Sequence, residues 1–383
     1  MLSPDGDLDC CAIGRVTGYS AKLSRTSELL YTLSGFLPAI ADVLLIHKPY
    51  SNMTNLLPND ARVDAMKHWL KHCLDTEDFQ LSVASSDASF RRYFRLLFRQ
   101  QSYVVMDAPP EHEQTTSFIA VAEFLLSHGV PVPVIHAKNQ QAGFLLLSDL
   151  GKTAYLDKLN TRTADALYKQ AIDVLLTMQL AQLNTINLPD YDPAKLTVEM
   201  QLFDDWFLQK HLGLKAPACL PSLFELLVDN AAQQPQCLVH RDYHSRNLML
   251  DDNDQLGVID FQDAVRGPVS YDLVSLLRDC YIKWSEADLQ RWLDYYFDQA
   301  CDKGILNKVS RRQFQRWFDL MGLQRHIKVL GIFCRLNYRD NKTNYMNDLP
   351  MTLNYIREVS ARYPECQEFA QFLSQQAKIA AIL

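Results

Sequence analysis

His240-Arg241-Asp242-Tyr243-His244-Ser245-Arg246-Asn247 is one short run, and Val258-Ile259-Asp260-Phe261 places a second aspartate 13 residues after Asn247. Two carboxylates and an amide at this spacing suit the transfer of a phosphoryl group. That group carries spread negative charge, so its transfer depends mostly on positioning and electrostatics. Asn247 and Asp260 offer the hard oxygens that Mg²⁺ prefers. Asp242 is placed to orient an acceptor hydroxyl and take its proton. The bland alternative is that all three cap loops. His240 reads as a brace for the run rather than a proton carrier. His244 and Arg246 are candidate substrate contacts, and for His244 a plain loop contact is equally open. Asp263 is open between a second metal ligand and a loop cap. Asp272 opens the next helix, where a carboxylate is commonly a cap, and it reads as structural support rather than chemistry. His326 reads as a packing or surface histidine.

The run matches H-R-D-x-x-x-x-N, the catalytic-loop pattern of kinases, and Asp260 follows Asp242 by 18 residues, where a kinase places its D-F-G aspartate. The nucleotide side is less regular. There is no G-x-G-x-x-G and no Walker A motif. The turn Ser85–Tyr93 holds small residues, and Ser86, Asp87 and Ser89 would let backbone N–H groups approach phosphates. The usual strand lysine is missing, because the third strand reads Val104-Val105-Met106-Asp107. Arg91 or Arg92 is the candidate replacement. Adjacent strand residues face opposite ways, so one of them at most meets a nucleotide; a solvated strand edge is the other reading. Asp149 and Leu150, in the break at 148–151, are candidates to meet adenine through backbone groups. Glu123 lies off the apolar face of its helix and is given no role.

The elements that must position these residues divide the chain. Leu81–Ala84, Phe90–Arg99, Ser102–Met106, Val132–His136 and Phe144–Leu147 read as strands. A helix over Thr116–His128 lies between them and stops at Gly129. After residue 151, apolar 3–4 spacing predicts helices over 163–181, 196–212, 286–300 and 311–334. Short apolar runs at Cys237–His240, Leu248–Leu250 and Leu256–Ile259 flank the chemical residues. The expected fold class is α+β: a small β-rich lobe (53–147), a hinge (148–151) and a larger helical lobe (152–383). A ligand cleft between two such lobes is the default expectation. Residues 1–52 have no clean period. They read as a poorly ordered extension or a mis-assigned start, with Met53 the alternative first residue.

At 383 residues, 48% hydrophobic and 22% charged, the chain excludes a mainly disordered or fibrous protein. A net charge of −7 argues against a general nucleic-acid binder. Nine scattered cysteines without C-x-x-C argue against a disulfide or zinc scaffold and for a reducing compartment. The stretch Phe36–Ile46 is too short and interrupted to span a bilayer, and Lys22 and Arg25 lie too deep for an ordinary signal peptide. A cytoplasmic protein with no membrane partner is expected.

HRDYHSRN (240–247), VIDFQDA (258–264) and GPVSYDLVSLLRD (267–279) resemble the aminoglycoside phosphotransferase/choline kinase family. SDASFRRYFR (86–95), VVMDAPPE (104–111), GFLLLSDLG (143–151) and QRHIKVLGIFCRLNYRDNKTNY (324–345), up to DLP (348–350), are similar to one subgroup. Its members are the cell-wall-recycling kinases that phosphorylate the anomeric hydroxyl of N-acetylmuramate and N-acetylglucosamine. The missing strand lysine departs from the wider family but not from this subgroup. The resemblance covers about residues 60–370. It implies a protein-kinase-like two-lobe fold using ATP and Mg²⁺, with Asp242 as base and Asn247 and Asp260 on the metal. It also implies an amino-sugar acceptor and a sugar 1-phosphate product, passed to a uridylyltransferase in peptidoglycan recycling. From Ser310 to Leu383 there are eleven Lys/Arg against six Asp/Glu, which leans towards a neutral or anionic acceptor. Arg335 and Arg339 are candidate contacts for its lactyl carboxylate; a solvated helix face is the alternative. Choline, an aminoglycoside or a protein serine remain open as acceptors, as does a nucleotide-binding pseudokinase that serves as an interaction module.

Overall fold

The computed structural model describes residue 57, residues 60–86 and residues 90–383. The expectations for residues 1–52, Met53, Asp87 and Ser89 lie outside the described residues, as does the side chain of Ser86. The chain forms two compact units. One takes in the described residues up to Ser117 and Val134–Asp149; the other is Phe118–Pro133 with Leu150–Leu383.

Among the described residues the smaller unit is an antiparallel sheet with one helix, α1 (Ala61–Leu74). Its strands are β1 (Gln80–Ser86), β2 (Arg92–Phe98), β3 (Gln101–Asp107), β4 (Ile135–Asn139) and β5 (Phe144–Ser148), in the order β1-β2-β3-β5-β4. Asp60 caps α1 by accepting the N–H groups of Arg62 and Val63. Val63, Met66 and Leu70 recur at helical spacing and pack with Phe94, Leu96, Val105, Phe144 and Leu146. Alternation along β2 sends Phe94 and Leu96 into that core. The strand expected at Val132–His136 begins only at Ile135. Pro131 and Pro133 lack the N–H that a ladder needs, so pairing starts beyond them.

The larger unit is mostly helical. It holds α2 (Thr115–Ser127) from Phe118 onward, α3 (Tyr155–Lys158), α4 (Ala164–Leu180), α5 (Pro193–Leu202), α6 (Leu220–Ala232) and α7 (Tyr271–Leu277). The C-terminal helices are α8 (Glu286–Asp302), α9 (Arg311–Asp340), α10 (Leu349–Arg362), α11 (Gln367–Gln375) and α12 (Ala377–Ala380). Two small sheets sit among them. One pairs β6 (Thr153–Ala154), β8 (Leu248–Leu250) and β9 (Leu256–Val258); the other pairs β7 (Gln236–Val239) with β10 (Val265–Pro268). The expected α+β, kinase-like class is borne out. The helix expected over 196–212 changes character: α5 runs into a π-helical stretch, Phe203–Leu212. α6, β10 and the helices after residue 349 were not legible from periodicity.

α9 is the spine of this unit. Every residue from Trp317 to Leu336 is buried, so the helix has no polar face and needs partners for its charges. Lys328 Nζ lies 3.0 Å from Glu199 on α5, and Arg241 Nη2 lies 2.5 Å from the other oxygen of the same carboxylate. Tyr191 donates its hydroxyl to Glu199 as well. His326 Nε2 donates to the Arg278 carbonyl (2.9 Å) and its ring stacks on Tyr355, a packing role as the sequence suggested. Gly331 lets α5 come close, since a Cβ there would overlap the Leu202 carbonyl.

Two substitutions test this core. Gly331→Ala is expected to cost about 3 kcal/mol by forcing α5 away from α9. Glu199→Gln leaves two buried cations without their anion and should cost roughly 3–5 kcal/mol. Both are read from denaturant unfolding midpoints. A loss under about 0.5 kcal/mol, the range of ordinary surface substitutions, would contradict either account.

Candidate active site

The predicted catalytic run leaves β7 and re-enters a sheet at β8, so it is a loop fixed at both ends. Three buried carboxylates and a histidine hold it. Asp272 accepts the backbone N–H of His240 (2.6 Å) and of Arg241 (3.0 Å). Asp272 gives the structural support expected of it, but not as a cap of its own helix: it sits in the first turn of α7 and binds the loop instead. Glu199 holds the Arg241 side chain, and Asp279 accepts the Ser245 N–H at 3.0 Å and its hydroxyl. Arg241 and Asp260 both have positive φ (79° and 67°), a region that non-glycine residues adopt uncommonly, and here the backbone and side-chain bonds of the loop hold it.

His240 is fully buried and braces the loop as expected. Its Nδ1 accepts the Asp242 N–H at 3.3 Å, which leaves Nε2 to donate to the Ile259 carbonyl at 3.0 Å. Burial pushes its pKa down to about 4, so the ring is neutral at pH 7. The same contact ties the loop to the strand end that carries Asp260. Ile259 N–H also donates to the Asn247 carbonyl at 3.1 Å, and Phe261 packs on Phe118 of α2.

Asn247 joins the three residues picked out by their spacing. Its Nδ2 donates to the Asp242 backbone carbonyl and to Asp260 Oδ2, both at 3.1 Å. Its Oδ1 is buried and has no hydrogen-bond partner. Gln262 donates to the other Asp260 oxygen at 2.8 Å. A partnerless carbonyl oxygen beside a carboxylate is a donor set that fits Mg²⁺. Among the described residues there is no group of three or more His, Cys, Asp or Glu that could hold a metal. Two protein oxygens suffice for a cation that arrives on phosphate oxygens.

Burial raises the pKa of Asp242, while Lys328, Arg241 and Arg325 pull it back. Burial likewise raises Asp272, to about 7. Arg325 and Lys328 lie on α9, within the stretch 324–345 quoted above, but the sequence reading gave neither of them a role. His244 is fully buried, kept neutral by burial and by Arg325, and neither ring nitrogen has a partner. Its ring meets Tyr281 edge-on, and the Arg246 guanidinium lies 3.5 Å from the centre of that same ring. Tyr281 carried no sequence signal.

The other predicted residues fall as follows. Arg335 is buried in α9, which removes the solvated-face alternative for it; Arg339 is exposed and bonds its neighbour Asp340 at 2.8 Å. In the smaller unit, Arg91 pairs with Glu113 at 2.8 Å. Arg92 bonds Asp107 (2.9 Å) and also Asp60, and Arg62 reaches Asp107 from the other side (2.8 Å). So both candidate arginines already meet carboxylates, and where a strand lysine was sought β3 ends in an aspartate that takes two arginines. The Asp149 carboxylate accepts from Arg95 (2.6 Å) and from Ser102. Leu150 belongs to the larger unit, packed over Gly257 of β9. Among the described residues no helix is long and apolar enough to cross a membrane.

A model of the phosphotransferase enzyme family matches residues 80–307. An N-acetylmuramate/N-acetylglucosamine kinase of Pseudomonas putida is 45% identical over 299 residues, which is 77% of this chain and 88% of that protein. A protein of the same name from Pseudomonas aeruginosa is 43% identical over 332 residues, 83% of this chain and 98% of its own. Among solved structures, an ethanolamine kinase of Plasmodium vivax superposes with a TM-score of 0.58 at 12% identity, over 82% of this chain and 93% of its own, a likeness of fold alone. With the loop, the strand-end aspartate and the orphaned amide oxygen in place, and with relatives this similar over most of their length, the chain belongs to the phosphotransferase enzyme family.

Proposed function

We propose that the protein transfers the γ-phosphoryl group of ATP to the anomeric hydroxyl of N-acetylmuramate, N-acetylglucosamine or both. The observation that carries this reading is the Asn247 amide, which links the Asp242 loop to Asp260 and keeps a bare oxygen beside it. The acceptor class rests on the names of the relatives, at 41–45% identity over most of their length. Asp242 orients the sugar hydroxyl and receives its proton as the oxygen bonds to phosphorus. ADP leaves with the electron pair of the broken P–O bond, and the product is a sugar 1-phosphate. Asn247 Oδ1 and Asp260 would hold Mg²⁺, which neutralises phosphate charge when bound. His240, Asp272 and Glu199 keep the base loop in place without touching the acceptor.

For the nucleotide we retain the backbone of Ser86, Asp87 and Ser89 and the main chain at Asp149 and Leu150 as proposed contacts. Arg91 and Arg92 have less support, since each is engaged by carboxylates. The seven cysteines among the described residues are free thiols, which suits a reducing cytosol. A sugar 1-phosphate is the form that a uridylyltransferase consumes, and we propose that hand-over as the next step.

Two experiments test this. Mg-ATP with N-acetylmuramate, N-acetylglucosamine, choline, kanamycin and casein should release ADP only with the two sugars, and the product should be alkali-stable but acid-labile, as an anomeric phosphate is. Turnover of choline or kanamycin alone would overturn the acceptor class. Asp242→Asn should lower kcat by at least about 100-fold, the scale of lost general-base catalysis, with ATP affinity near native; Asp260→Ala should weaken Mg-ATP binding. Because Asp242 must be ionised to accept a proton, activity should fall on acidification along a limb that lies above the ordinary carboxylate range. Full turnover in Asp242→Asn would reassign the base.

A further inference from the structure

Arg325 lies in the buried middle of α9 and is 3% exposed. Arg91, Arg241, Arg278 and Lys328 are comparably buried, and each has a carboxylate oxygen within 3.0 Å. Among the described residues Arg325 has no such partner. The hydrogen bond it makes runs from Nη1 to the Cys280 sulfur at 3.6 Å. Burial raises the Cys280 pKa, so that thiol stays protonated and offers no negative charge. Asp242 and Asp279 act on its charge from beyond ion-pair distance, so the guanidinium has carboxylates nearby but none bonded to it, and a closer anion would stabilise it further. Unlike Arg241 Nε and Arg278 Nη1, no nitrogen of Arg325 is both sealed from solvent and partnerless, so the group keeps an opening.

Its surroundings say which anion fits. The Arg325 charge acts on Asp242, His244, Asp272 and Asp279, the base loop and its braces. Asp242 is the base that meets the acceptor in the reading above, and Asp279, the neighbour in sequence of the Cys280 that Arg325 touches, accepts two bonds from Ser245 of the same loop. The neighbouring His244 has two ring nitrogens without partners. A planar guanidinium matches a carboxylate through two parallel N–H···O bonds.

We infer that Arg325 binds the carboxylate of an anionic acceptor sugar next to Asp242 and thereby sets the preference between acid-bearing and neutral acetamido sugars. The inference rests on the sugar-kinase reading above. It moves the anion-reading role from Arg335 and Arg339 to a residue roughly three and four turns earlier on α9.

The test compares kcat/KM for N-acetylmuramate, its lactyl methyl ester and N-acetylglucosamine on native protein, Arg325→Met and Arg325→Lys. On native protein the ester should be about 10–100-fold poorer than the acid, the scale of one lost charge-assisted pair. Arg325→Met should lower the ratio of kcat/KM for the acid to kcat/KM for N-acetylglucosamine by the same factor, whatever loss both sugars share through the weaker hold on the Asp242 charge, and a thermal melt reports that the variant is folded. Arg325→Lys should fall between. An ester as good as the acid on native protein would overturn the inference, and that comparison needs no variant to fold. Equal losses on both sugars in Arg325→Met would assign Arg325 to the phosphoryl group or the loop and overturn it too. Native protein inert on both sugars but active on another acceptor would refute the sugar-kinase reading itself, a result distinct from either of these.

Discussion

One side-chain amide organises this site. Asn247 spends its NH₂ group on two acceptors, the Asp242 carbonyl and the Asp260 carboxylate, and so turns two loops into one unit. An amide has a fixed plane, so the same bonds decide where its oxygen points. That oxygen is buried and unsatisfied in the protein alone. Leaving a buried acceptor bare costs on the order of 1–3 kcal/mol, a cost that a bound cation removes. The geometry is thus paid for before any ligand arrives, which is what preorganisation means for a reaction run by positioning.

The remaining polar interior serves that unit. Asp272, Asp279 and Glu199 each receive bonds from the base loop, and His240 bolts the loop to the strand end that bears Asp260. The positive φ at Arg241 and Asp260 is held within this frame. α9 supplies the balancing positive charge. Lys328 is matched by Glu199, whereas Arg325 faces the base loop without a carboxylate of its own. The field at Asp242 is therefore a compromise: burial favours the neutral acid, and three cations favour the ion.

What could be read from the sequence was what is local in the chain. Asp242 and Asn247 are five residues apart and Asp260 follows on the next strand end, so spacing alone found them. Strands with alternating burial, such as β2, and helices with apolar spacing, such as α4 and α8, were legible for the same reason. The braces were not. Glu199 meets Arg241 across 42 residues, and Asp272 meets His240 across 32, distances at which one sequence carries no pairing signal. Asp272 looked like a helix cap because its position in α7 fits one; its partner lies outside the helix. α9 was found by its apolar spacing, but its burial on all sides could not be seen, because its buried charges mimic a polar face. The strand lysine was sought in the place where Asp107 gathers Arg62 and Arg92, a local inversion of charge that a motif search reads only as an absence.

The central claim is that Asn247 Oδ1 and the Asp260 carboxylate form a ready cation site coupled to the Asp242 loop. The most direct measurement is a crystal of the protein with Mn²⁺ and a non-hydrolysable ATP analogue, imaged by the anomalous scattering of manganese. The account predicts an anomalous peak within coordination distance of both Asn247 Oδ1 and Asp260, with the amide nitrogen still on the Asp242 carbonyl. A peak held by other side chains, with Asn247 turned away from Asp260, would contradict it.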